Sequence, residues 1–227
     1  MELRPIARVH TDFRGKFGIP RQSGLVPELT AVLEFLPEFR SPEAVRGLEA
    51  YSHLWLIWQF SENADKGWSP TVRPPRLGGN KRVGVFASRS PFRPNPLGLS
   101  CVQLLELRHD PARGPLLLLG GADLMDGTPV YDVKPYVPYA DSHPEACGGF
   151  TDAFAWQPLE VECPEELLAC LPEEKRKALL GVLAQDPRPA YQEDPSRVYG
   201  FPFAGAEVRF SVQEGKLRVL EVKKNNE

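Results

Sequence analysis

The sequence predicts a mainly β protein: a small, single-sheeted β-barrel followed by a small C-terminal α/β appendage. Two observations predict the barrel. Short apolar runs rich in β-branched, leucine or aromatic residues recur between turn-forming residues, and 24 prolines are scattered through the chain, which favours strands and turns over long helices. A third observation predicts the appendage: near residue 158 these runs give way to a helical leucine pattern and an alternating hairpin.

Seven short segments before residue 158 are predicted to be strands, and this number at this spacing is typical of a closed or strongly curved sheet. One helix is predicted among them at residues 41–50, because Ser41 suits the N-cap and Pro42 suits the first helical position. The predicted strands are residues 3–9, 32–36, 53–60, 83–87, 99–107, 116–119 and 130–133.

The appendage is predicted to contain one strand, two short helices and a β-hairpin. LEVEC, residues 159–163, has a strand pattern, and the leucine-rich segment after it has a helical apolar face. Pro172 is predicted to divide that segment in two, because an interior proline forfeits a hydrogen bond and clashes with the preceding turn. Alternation on either side of residues 214–215 predicts the hairpin. We therefore divide the chain into a barrel domain, residues 1–158, and the appendage, residues 159–227.

The composition argues against several classes of protein. No stretch approaches the roughly 18 apolar residues of a membrane span, and the N-terminal MELRPIARVH lacks the apolar core of a signal peptide. A soluble, cytoplasmic protein with no membrane partner is therefore expected. The four cysteines form no CxxC pair, and the four histidines show neither HxH nor HExxH spacing. We expect reduced thiols and no metal site.

A long basic segment is the main charge feature. Residues 66–105 contain seven basic residues and no acid, although the net charge of the whole chain is −3. A solvated surface explains a short basic run. Over this length, however, no carboxylate nearby in sequence neutralises the charge, and this favours a phosphate-bearing partner. The candidate RNA-binding residues in this segment are Arg73, Arg76, Lys81, Arg82 and Arg93.

The stretch GVFASRSPFRPNPLGLS, residues 84–100, is predicted to form a rigid corner inside this segment. Each proline fixes its own φ and pushes the preceding residue toward extended backbone, so the three prolines stiffen the corner. A stiff corner holds Arg89 and Arg93 in place before binding, and preorganised guanidinium groups lose less entropy when they meet a phosphate or carboxylate. The alternative is that the prolines only end two strands and the arginines point to solvent.

Two further motifs have more than one interpretation. GKFGIPRQSGL carries Arg21 and Gln22 after Pro20, and the Gln22 amide suits the edge of a base or an amino-acid moiety, although an ordinary loop also fits. LLLLGGADLMDG, residues 116–127, begins like a dinucleotide-binding fingerprint but lacks its third glycine and is not followed by a helix. This disfavours a doubly wound fold. A glycine turn capped by aspartates is the alternative.

Four longer stretches resemble, in order and spacing, the TrmO family of tRNA methyltransferases, also called TsaA-like or YaeB. They are PRQSGL, RGLEAYSHLWLIW, TVRPPRLGGNKRVGVFASRSPFRPNPLGLS and DLMDGTPVYDVKPYVPYADS. The resemblance runs from residue 6 to residue 142, and ALLGVLAQDPRPAY looks like the appended domain of bacterial members. It implies a β-barrel enzyme that works as a homodimer and binds S-adenosyl-L-methionine near the subunit interface. It also implies methyl transfer to N6 of N6-threonylcarbamoyladenosine, which lies just 3′ of the anticodon in certain threonine tRNAs.

The resemblance further implies a set of cofactor-binding residues. They are Pro20, Arg21 and Gln22 in PRQ, Ser61 and Glu62 in QFSEN, Arg89 in ASRS, Leu99 in the following strand, and Gly120, Gly121, Ala122, Asp123 and Asp126 in the glycine turn. Many relatives have histidine at the position of Ser61, so the sequence departs from the family pattern there.

The chemistry of the cofactor fits these residue types. S-adenosyl-L-methionine carries a carboxylate and an ammonium group, so Arg89 or Arg21 could meet the carboxylate, and Asp123 or Asp126 could meet the ammonium group or the ribose hydroxyls. Its methyl carbon is already activated by the sulfonium, which leaves the protein chiefly with alignment. The lone pair of the acceptor nitrogen is delocalised, so proton removal must help. Asp126 is the catalytic candidate, and desolvation with hydrogen bonding is the alternative.

Two other classes of function remain open on the sequence. A non-catalytic RNA-binding barrel would use the basic segment to hold phosphates, and it would bind tRNA in a salt-sensitive way without saturable cofactor binding. A methyltransferase of a small metabolite would act without RNA. The cofactor motifs disfavour the first class, and the basic segment disfavours the second.

Overall fold

Twelve β-strands and three α-helices make up the regular structure in the computed structural model, which describes residues 2–74, 81–152, 157–188, 194 and 196–224. The strands are β1 (Ala7–His10), β2 (Thr30–Phe35), β3 (His53–Gln59), β4 (Thr71–Val72), β5 (Val83–Gly84), β6 (Leu97–Asp110), β7 (Gly114–Gly120), β8 (Thr128–Pro135), β9 (Glu160–Glu162), β10 (Tyr199–Phe203), β11 (Ala206–Gln213) and β12 (Lys216–Lys224). The helices are α1 (Pro138–Asp141), α2 (Glu165–Leu168) and α3 (Glu173–Ala184). Within the described ranges, no helix is long and apolar enough to cross a membrane.

Six antiparallel strands close into a barrel in the order β1-β2-β7-β6-β3-β8. The circle is completed where β8 pairs with β1. Buried side chains alternate with less buried ones in β1, β2 and β3; in β3, Leu54 and Leu56 are fully buried and their neighbours are not. The predicted mainly β fold with a single-sheeted barrel is confirmed.

The predicted strand at residues 83–87 is wrong beyond its first two residues. Val83–Gly84 forms β5, which pairs with β4 in a two-stranded arm beside the barrel, called here the β4–β5 arm. Val85–Ala87 is a 3₁₀ turn. The turn is stabilised because the Val85 carbonyl accepts hydrogen bonds from Ser88 Oγ (2.9 Å) and Arg93 Nη1 (3.1 Å). Periodicity in such a short apolar run does not distinguish a strand from a turn.

The predicted helix at residues 41–50 is also wrong. The chain forms two 3₁₀ turns there, Pro42–Val45 and Leu48–Ala50. Between them Gly47 has a φ of +83°, a left-handed conformation that a continuous helix cannot contain. Ser41 makes no side-chain capping hydrogen bond.

The C-terminal region is a four-stranded sheet in the order β10-β11-β12-β9, with α2 and α3 packed nearby. The division of the helical segment at Pro172 is as predicted, because Pro172 is the residue before α3. The hairpin of β11 and β12 is also as predicted. Both residues of its tight turn, Glu214 and Gly215, have positive φ values, as a type I′ turn requires. The strand β10 was not predicted.

The core of this C-terminal sheet includes side chains from the beginning of the chain. Phe13, Val26 and Leu29 are buried in the same apolar cluster as Phe201. Gly18 lies so close to Phe201 that a Cβ there would be 2.5 Å from its ring. The division of the chain at residue 158 therefore remains a prediction, and the segment at residues 13–29 belongs to the packing of both regions.

Candidate functional site

A cavity of about 430 Å³ opens at the end of the barrel where β3 ends and where β6 and β8 begin. Its volume is in the range typical of small-molecule sites. Residues from four stretches, 16–22, 58–63, 88–99 and 123–128, line its wall. The lining combines cationic, anionic and apolar side chains, as a ligand with both charged and apolar parts would require.

Most of the cofactor-binding residues implied by the resemblance lie together in this wall. They are Pro20, Arg21, Gln22, Ser61, Glu62, Arg89, Leu99 and Asp123. Gly120, Gly121, Ala122 and Asp126 are not among the lining residues. The structure thus brings together residues that are distant in sequence, and their contact with a cofactor remains a prediction.

The two basic corners predicted from the sequence meet at a hydrogen bond. Nη1 of Arg89 donates to Oε1 of Gln22, although the two residues are 67 positions apart. The amide nitrogen of Gln22 in turn donates to the backbone carbonyl of Arg21. The side-chain orientations of Arg89 and Gln22 are therefore coupled, and one corner positions the other.

A chain of polar groups runs from the barrel interior to the cavity. Nε1 of Trp58 donates to Oγ of Ser100 (3.0 Å), which donates to Oδ1 of Asp123 (2.6 Å). Gly98 lies opposite Trp58 in the strand pair, and a Cβ there would be 2.3 Å from the indole, so only glycine admits the ring in this position. Burial raises the pKa of Asp123, while the hydrogen bond from Ser100 and the charge of Arg89 lower it.

The proline corner is braced internally by Arg93. Nη1 of Arg93 donates to the backbone carbonyls of Val85 (3.1 Å) and Ser88 (2.7 Å). The backbone nitrogens of Ser90 and Phe92 donate to serine hydroxyls two residues earlier. The alternative in which the arginines simply point to solvent therefore does not hold for Arg93. The described hydrogen bonds of Arg93 stabilise the proline corner, and Arg93 also lines the cavity. An RNA contact by Arg93 remains a prediction.

The glycine turn attaches the PRQ loop to the barrel. The backbone nitrogen of Gly24 donates to the Gly121 carbonyl (2.8 Å), and that of Gly121 donates to the Leu29 carbonyl (2.7 Å). Gly121 has a φ of +70°, and a Cβ there would be 3.1 Å from Gly24. Ala122 is buried and Gly120 ends β7, so the contacts of this turn position the loop.

Asp126 contacts the loop after β1. Its Oδ1 accepts a hydrogen bond from the Thr11 backbone nitrogen (3.1 Å) and lies 3.4 Å from Nδ1 of His10. Its own backbone nitrogen donates to the Phe13 carbonyl (2.8 Å). These contacts hold the start of residues 13–29 in place, and the catalytic role of Asp126 remains a prediction.

Sequence reasoning missed several lining residues. Lys16 pairs with Glu62 (3.0 Å) and donates to the Asn63 side chain, which is buried although asparagine is usually exposed. Trp58 lies in the predicted strand at residues 53–60 and was not among the predicted site residues. The sequence contained one signal for Lys16, its place four residues before Pro20 in the basic corner. Nothing in the sequence pointed to Asn63, because its burial depends on the 3₁₀ turn Ser61–Lys66.

Three of the other predicted RNA-binding residues are on or beside the β4–β5 arm. Arg73, Lys81 and Arg82 are exposed, and Arg82 is 3.5 Å from the hydroxyl of Thr71 on the partner strand. Arg76 lies outside the described residues. The arm is joined to the proline corner, because the Ser69 backbone nitrogen donates to the Phe92 carbonyl (3.2 Å).

No cluster of three or more histidine, cysteine, aspartate or glutamate side chains suited to a metal ion occurs within the described part of the chain. The charged groups around the cavity, which are arginine, lysine and carboxylate side chains, suit an organic ligand with both signs of charge.

The sequence matches two family models. Residues 8–142 match the one described as tRNA-methyltransferase O N-terminal domain, and residues 157–225 match the TrmO C-terminal domain. The Escherichia coli protein named tRNA (adenine(37)-N6)-methyltransferase is 42% identical over 229 residues, which cover 96% of each chain. A Pseudomonas aeruginosa protein named putative S-adenosylmethionine-dependent methyltransferase RcsF is 41% identical over 228 residues, 97% of this chain and 96% of that one.

Solved structures are similar along the whole chain. A crystal structure of TrmO from P. aeruginosa has a TM-score of 0.79 and 36% identity, and it covers 99% of this chain and 97% of its own. A second crystal structure of TrmO has a TM-score of 0.80 and 35% identity, with 98% and 99% covered. Both family models and these near full-length matches agree. The chain belongs to the tRNA-methyltransferase O (TrmO) family.

Proposed function

We propose that this protein is an S-adenosyl-L-methionine-dependent tRNA methyltransferase that acts on N6 of adenine 37, the activity in the name of its E. coli relative. The observation that carries the proposal is the meeting of Arg89, Gln22 and Asp123 in one cavity wall. This arrangement distinguishes a cofactor enzyme from a barrel that only holds RNA, since phosphates alone require no carboxylate in the site.

The lining fits the cofactor. Arg89 and Arg21 supply cationic donors for its carboxylate, and Asp123 supplies acceptors for the ammonium group or the ribose hydroxyls. Trp58 and Leu99 supply apolar surface for the adenine ring. When bound, the cofactor supplies a methyl carbon activated by a positively charged sulfur.

The residues of the chain contribute alignment. The internal hydrogen bonds of the proline corner hold Arg89 where Gln22 can bind it, so both side chains are ordered before the substrate arrives. The donors from Trp58 and Ser100 fix the Asp123 carboxylate in the same way. Holding two reactants in line can lower the activation free energy by roughly 7–11 kcal/mol. The preordered side chains of the cavity wall would provide this alignment.

Proton removal from the acceptor nitrogen has two candidate explanations. Asp126 is the catalytic candidate from the sequence, but the contacts of Asp126 with Thr11 and His10 favour a positioning role. The lining favours the alternative in which the acceptor loses water and is hydrogen-bonded by the wall. We therefore propose that no single strong base drives the reaction.

The finer parts of the proposal concern substrate and assembly. We propose a threonine-type tRNA carrying N6-threonylcarbamoyladenosine as the substrate, and the cytoplasm, where tRNA is modified, as the location. We also propose a homodimer. Leu99 and Leu105 of β6 are 53% and 44% exposed on the outside of the barrel, and Leu99 also lines the cavity, which supports a subunit contact beside the site.

The experiment is incubation with labelled S-adenosyl-L-methionine and tRNA that carries or lacks the threonylcarbamoyl group, followed by nucleoside analysis. Methylation only of the modified tRNA supports the proposal. Salt-sensitive tRNA binding without cofactor binding would support the RNA-binding barrel instead. Methyl transfer that needs no RNA would support a metabolite enzyme.

A further inference from the structure

Phe86 is 73% exposed, although the backbone around it is held by hydrogen bonds. The adjacent Val85 side chain is buried, and its backbone nitrogen donates to the Pro70 carbonyl (3.0 Å). The Val85 carbonyl accepts hydrogen bonds from Ser88 and Arg93. The exposure of Phe86 is therefore a property of a fixed turn and not of a loose loop.

Phe86 contacts Arg93, a residue of the cavity wall. The guanidinium carbon of Arg93 is 5.6 Å from the centroid of the phenyl ring, and Arg93 itself lines the cavity. The same guanidinium group is fixed by the carbonyls of Val85 and Ser88, so the distance between ring and cavity wall is set before binding. A cation near the ring gives this aromatic group an electrostatic partner as well as an open surface.

The surroundings of Phe86 suit a polyanion. Residues 66–105 contain no acid, and Arg73, Lys81 and Arg82 are exposed on or next to the β4–β5 arm. Trp68, at the base of this arm, is also exposed. Aromatic rings alternating with cations are the combination by which proteins hold unpaired nucleotides, because bases stack on the rings while phosphates meet the charges.

We propose that Phe86 is a stacking platform for an unpaired base adjacent to the adenine that enters the cavity. The proposal rests on the function proposed above and adds a way in which the RNA is held. An RNA base is favoured over a second copy of this chain, because residues 66–105 carry seven basic residues and no acid, so two copies of this segment would repel each other. The base would stack on the open side of the ring, and Arg93 adds its charge to that contact.

The experiment uses two stem-loop RNAs of the anticodon arm, one with 2-aminopurine just before nucleotide 37 and one with it just after. Each RNA is titrated with the full-length protein. Stacking quenches 2-aminopurine fluorescence, so the wild type should quench one of the two positions. Phe86→Tyr keeps a flat ring and should retain the quenching. Phe86→Leu keeps apolar bulk without a ring, so it should lose the quenching and bind the RNA roughly tenfold more weakly or worse.

Two matched variants serve as controls. Leu220→Ala trims another exposed apolar side chain, on β12, and should leave RNA binding unchanged. Arg82→Ala should flatten the salt dependence of RNA binding, whereas Phe86→Leu should not, because stacking releases no counterions. Cofactor affinity measured by calorimetry should be the same for Phe86→Leu and the wild type.

Equal quenching and equal RNA affinity for Phe86→Leu and the wild type would overturn the proposal. A second result would also overturn it. If sedimentation shows that Phe86→Leu loses a dimer, and RNA affinity returns at protein concentrations that restore the dimer, then Phe86 contacts a second copy of the chain. If the wild type quenches the probe but methylates no tRNA, the proposed function fails and the stacking site stands. If it methylates tRNA without quenching either position, the stacking site alone fails.

Discussion

The barrel end and the C-terminal sheet are built from opposite kinds of interior. In the C-terminal sheet the interior is aromatic: Phe201, Phe203 and Phe210 are fully buried, and Phe13 from the start of the chain packs on Phe203 with ring centroids 5.4 Å apart. At the barrel end the interior keeps polar groups, with Ser100 only 1% exposed between an indole donor and a carboxylate. The aromatic core suits a rigid support, whereas the polar groups at the barrel end suit ligand binding.

The segment at residues 13–29 joins these two interiors. Its Phe13, Val26 and Leu29 are anchored in the aromatic core, whereas Pro20 to Gln22 face the cavity. Lys175 of α3 adds a polar link to this part of the chain, because it pairs with Asp12 (2.6 Å). The C-terminal sheet therefore supports the loop that carries Pro20, Arg21 and Gln22, so its packing affects binding even though the sheet does not line the cavity.

The largest effect is expected where this link is broken. Gly18→Ala places a Cβ against the Phe201 ring at a φ of +97°, so overpacking and backbone strain add to about 2–5 kcal/mol of lost unfolding free energy. Residues 16–22 should shift, and cofactor affinity should fall as well. Urea denaturation and calorimetry measure the two quantities.

Leu217→Ala is the matched control for Gly18→Ala. It opens a cavity in the same core, at a fully buried position outside residues 13–29, and should cost a similar 2–5 kcal/mol. Cofactor affinity of the folded protein should then stay within about twofold of the wild type. Equal losses of affinity in the two variants would show that the comparison is wrong and that the regions respond as one.

The second prediction removes a charge from the cavity wall without touching either core. Arg89→Ala should weaken cofactor binding about 100-fold, because hydrogen bonds between charged groups contribute about 1.5–3 kcal/mol each. Arg89 is exposed, so the unfolding free energy should change by no more than about 0.5 kcal/mol. Calorimetry with Arg82→Ala, which removes an equal charge from the β4–β5 arm, is the control. Wild-type affinity in Arg89→Ala would refute the assignment.

The fold was predictable wherever local pattern determines it. The apolar run at residues 53–60 predicted β3. Alternation predicted the hairpin of β11 and β12, because a strand with one buried face repeats every two residues. The strand β10 escaped prediction, since YGFPF contains a glycine and a proline, which local rules assign to turns. Its place in the sheet is set by Phe201 and Phe203 packing into a core that residues 13–29 complete. That is a tertiary effect that no short window contains.

The site was predictable only in parts. The corners around Arg89 and Gln22 could be recognised as rigid and polar from their own residues, but their hydrogen bond joins positions 67 apart. The role of Ser100 could not be predicted, because it lies in an apolar strand. Its hydrogen bond with the Trp58 indole forms only because Gly98 leaves room for the ring. The resemblance to TrmO proteins supplied residue names that spacing alone could not.

The third prediction tests the polar interior itself. Ser100→Ala leaves the Trp58 indole nitrogen without its acceptor and Asp123 without its serine donor, which should cost about 1–3 kcal/mol of unfolding free energy. The cofactor should bind more weakly, but by less than in Arg89→Ala, because Asp123 is still present and only its orientation is released. Ser69→Ala removes an exposed hydroxyl with one backbone contact and is the control. A Ser100→Ala variant with unchanged stability and unchanged cofactor affinity would show that this polar interior has no role.

The smallest effect concerns the pH dependence of stability. Burial raises the pKa of Asp123 in the folded protein, although Ser100 and Arg89 oppose the shift. A carboxyl with a raised pKa binds its proton more tightly in the folded state than in the unfolded state. The stabilisation from that proton is fully present below the ordinary aspartate pKa and is lost as the pH rises through the raised value. Asp123→Asn does not titrate, so its unfolding free energy relative to the wild type should increase with pH across this window and then stay level. Urea denaturation of both proteins at a series of pH values measures the difference. A difference that stays constant or falls with rising pH would mean that the polar interior does not shift this carboxyl, and the contrast with the aromatic core would then rest on hydrogen bonds alone.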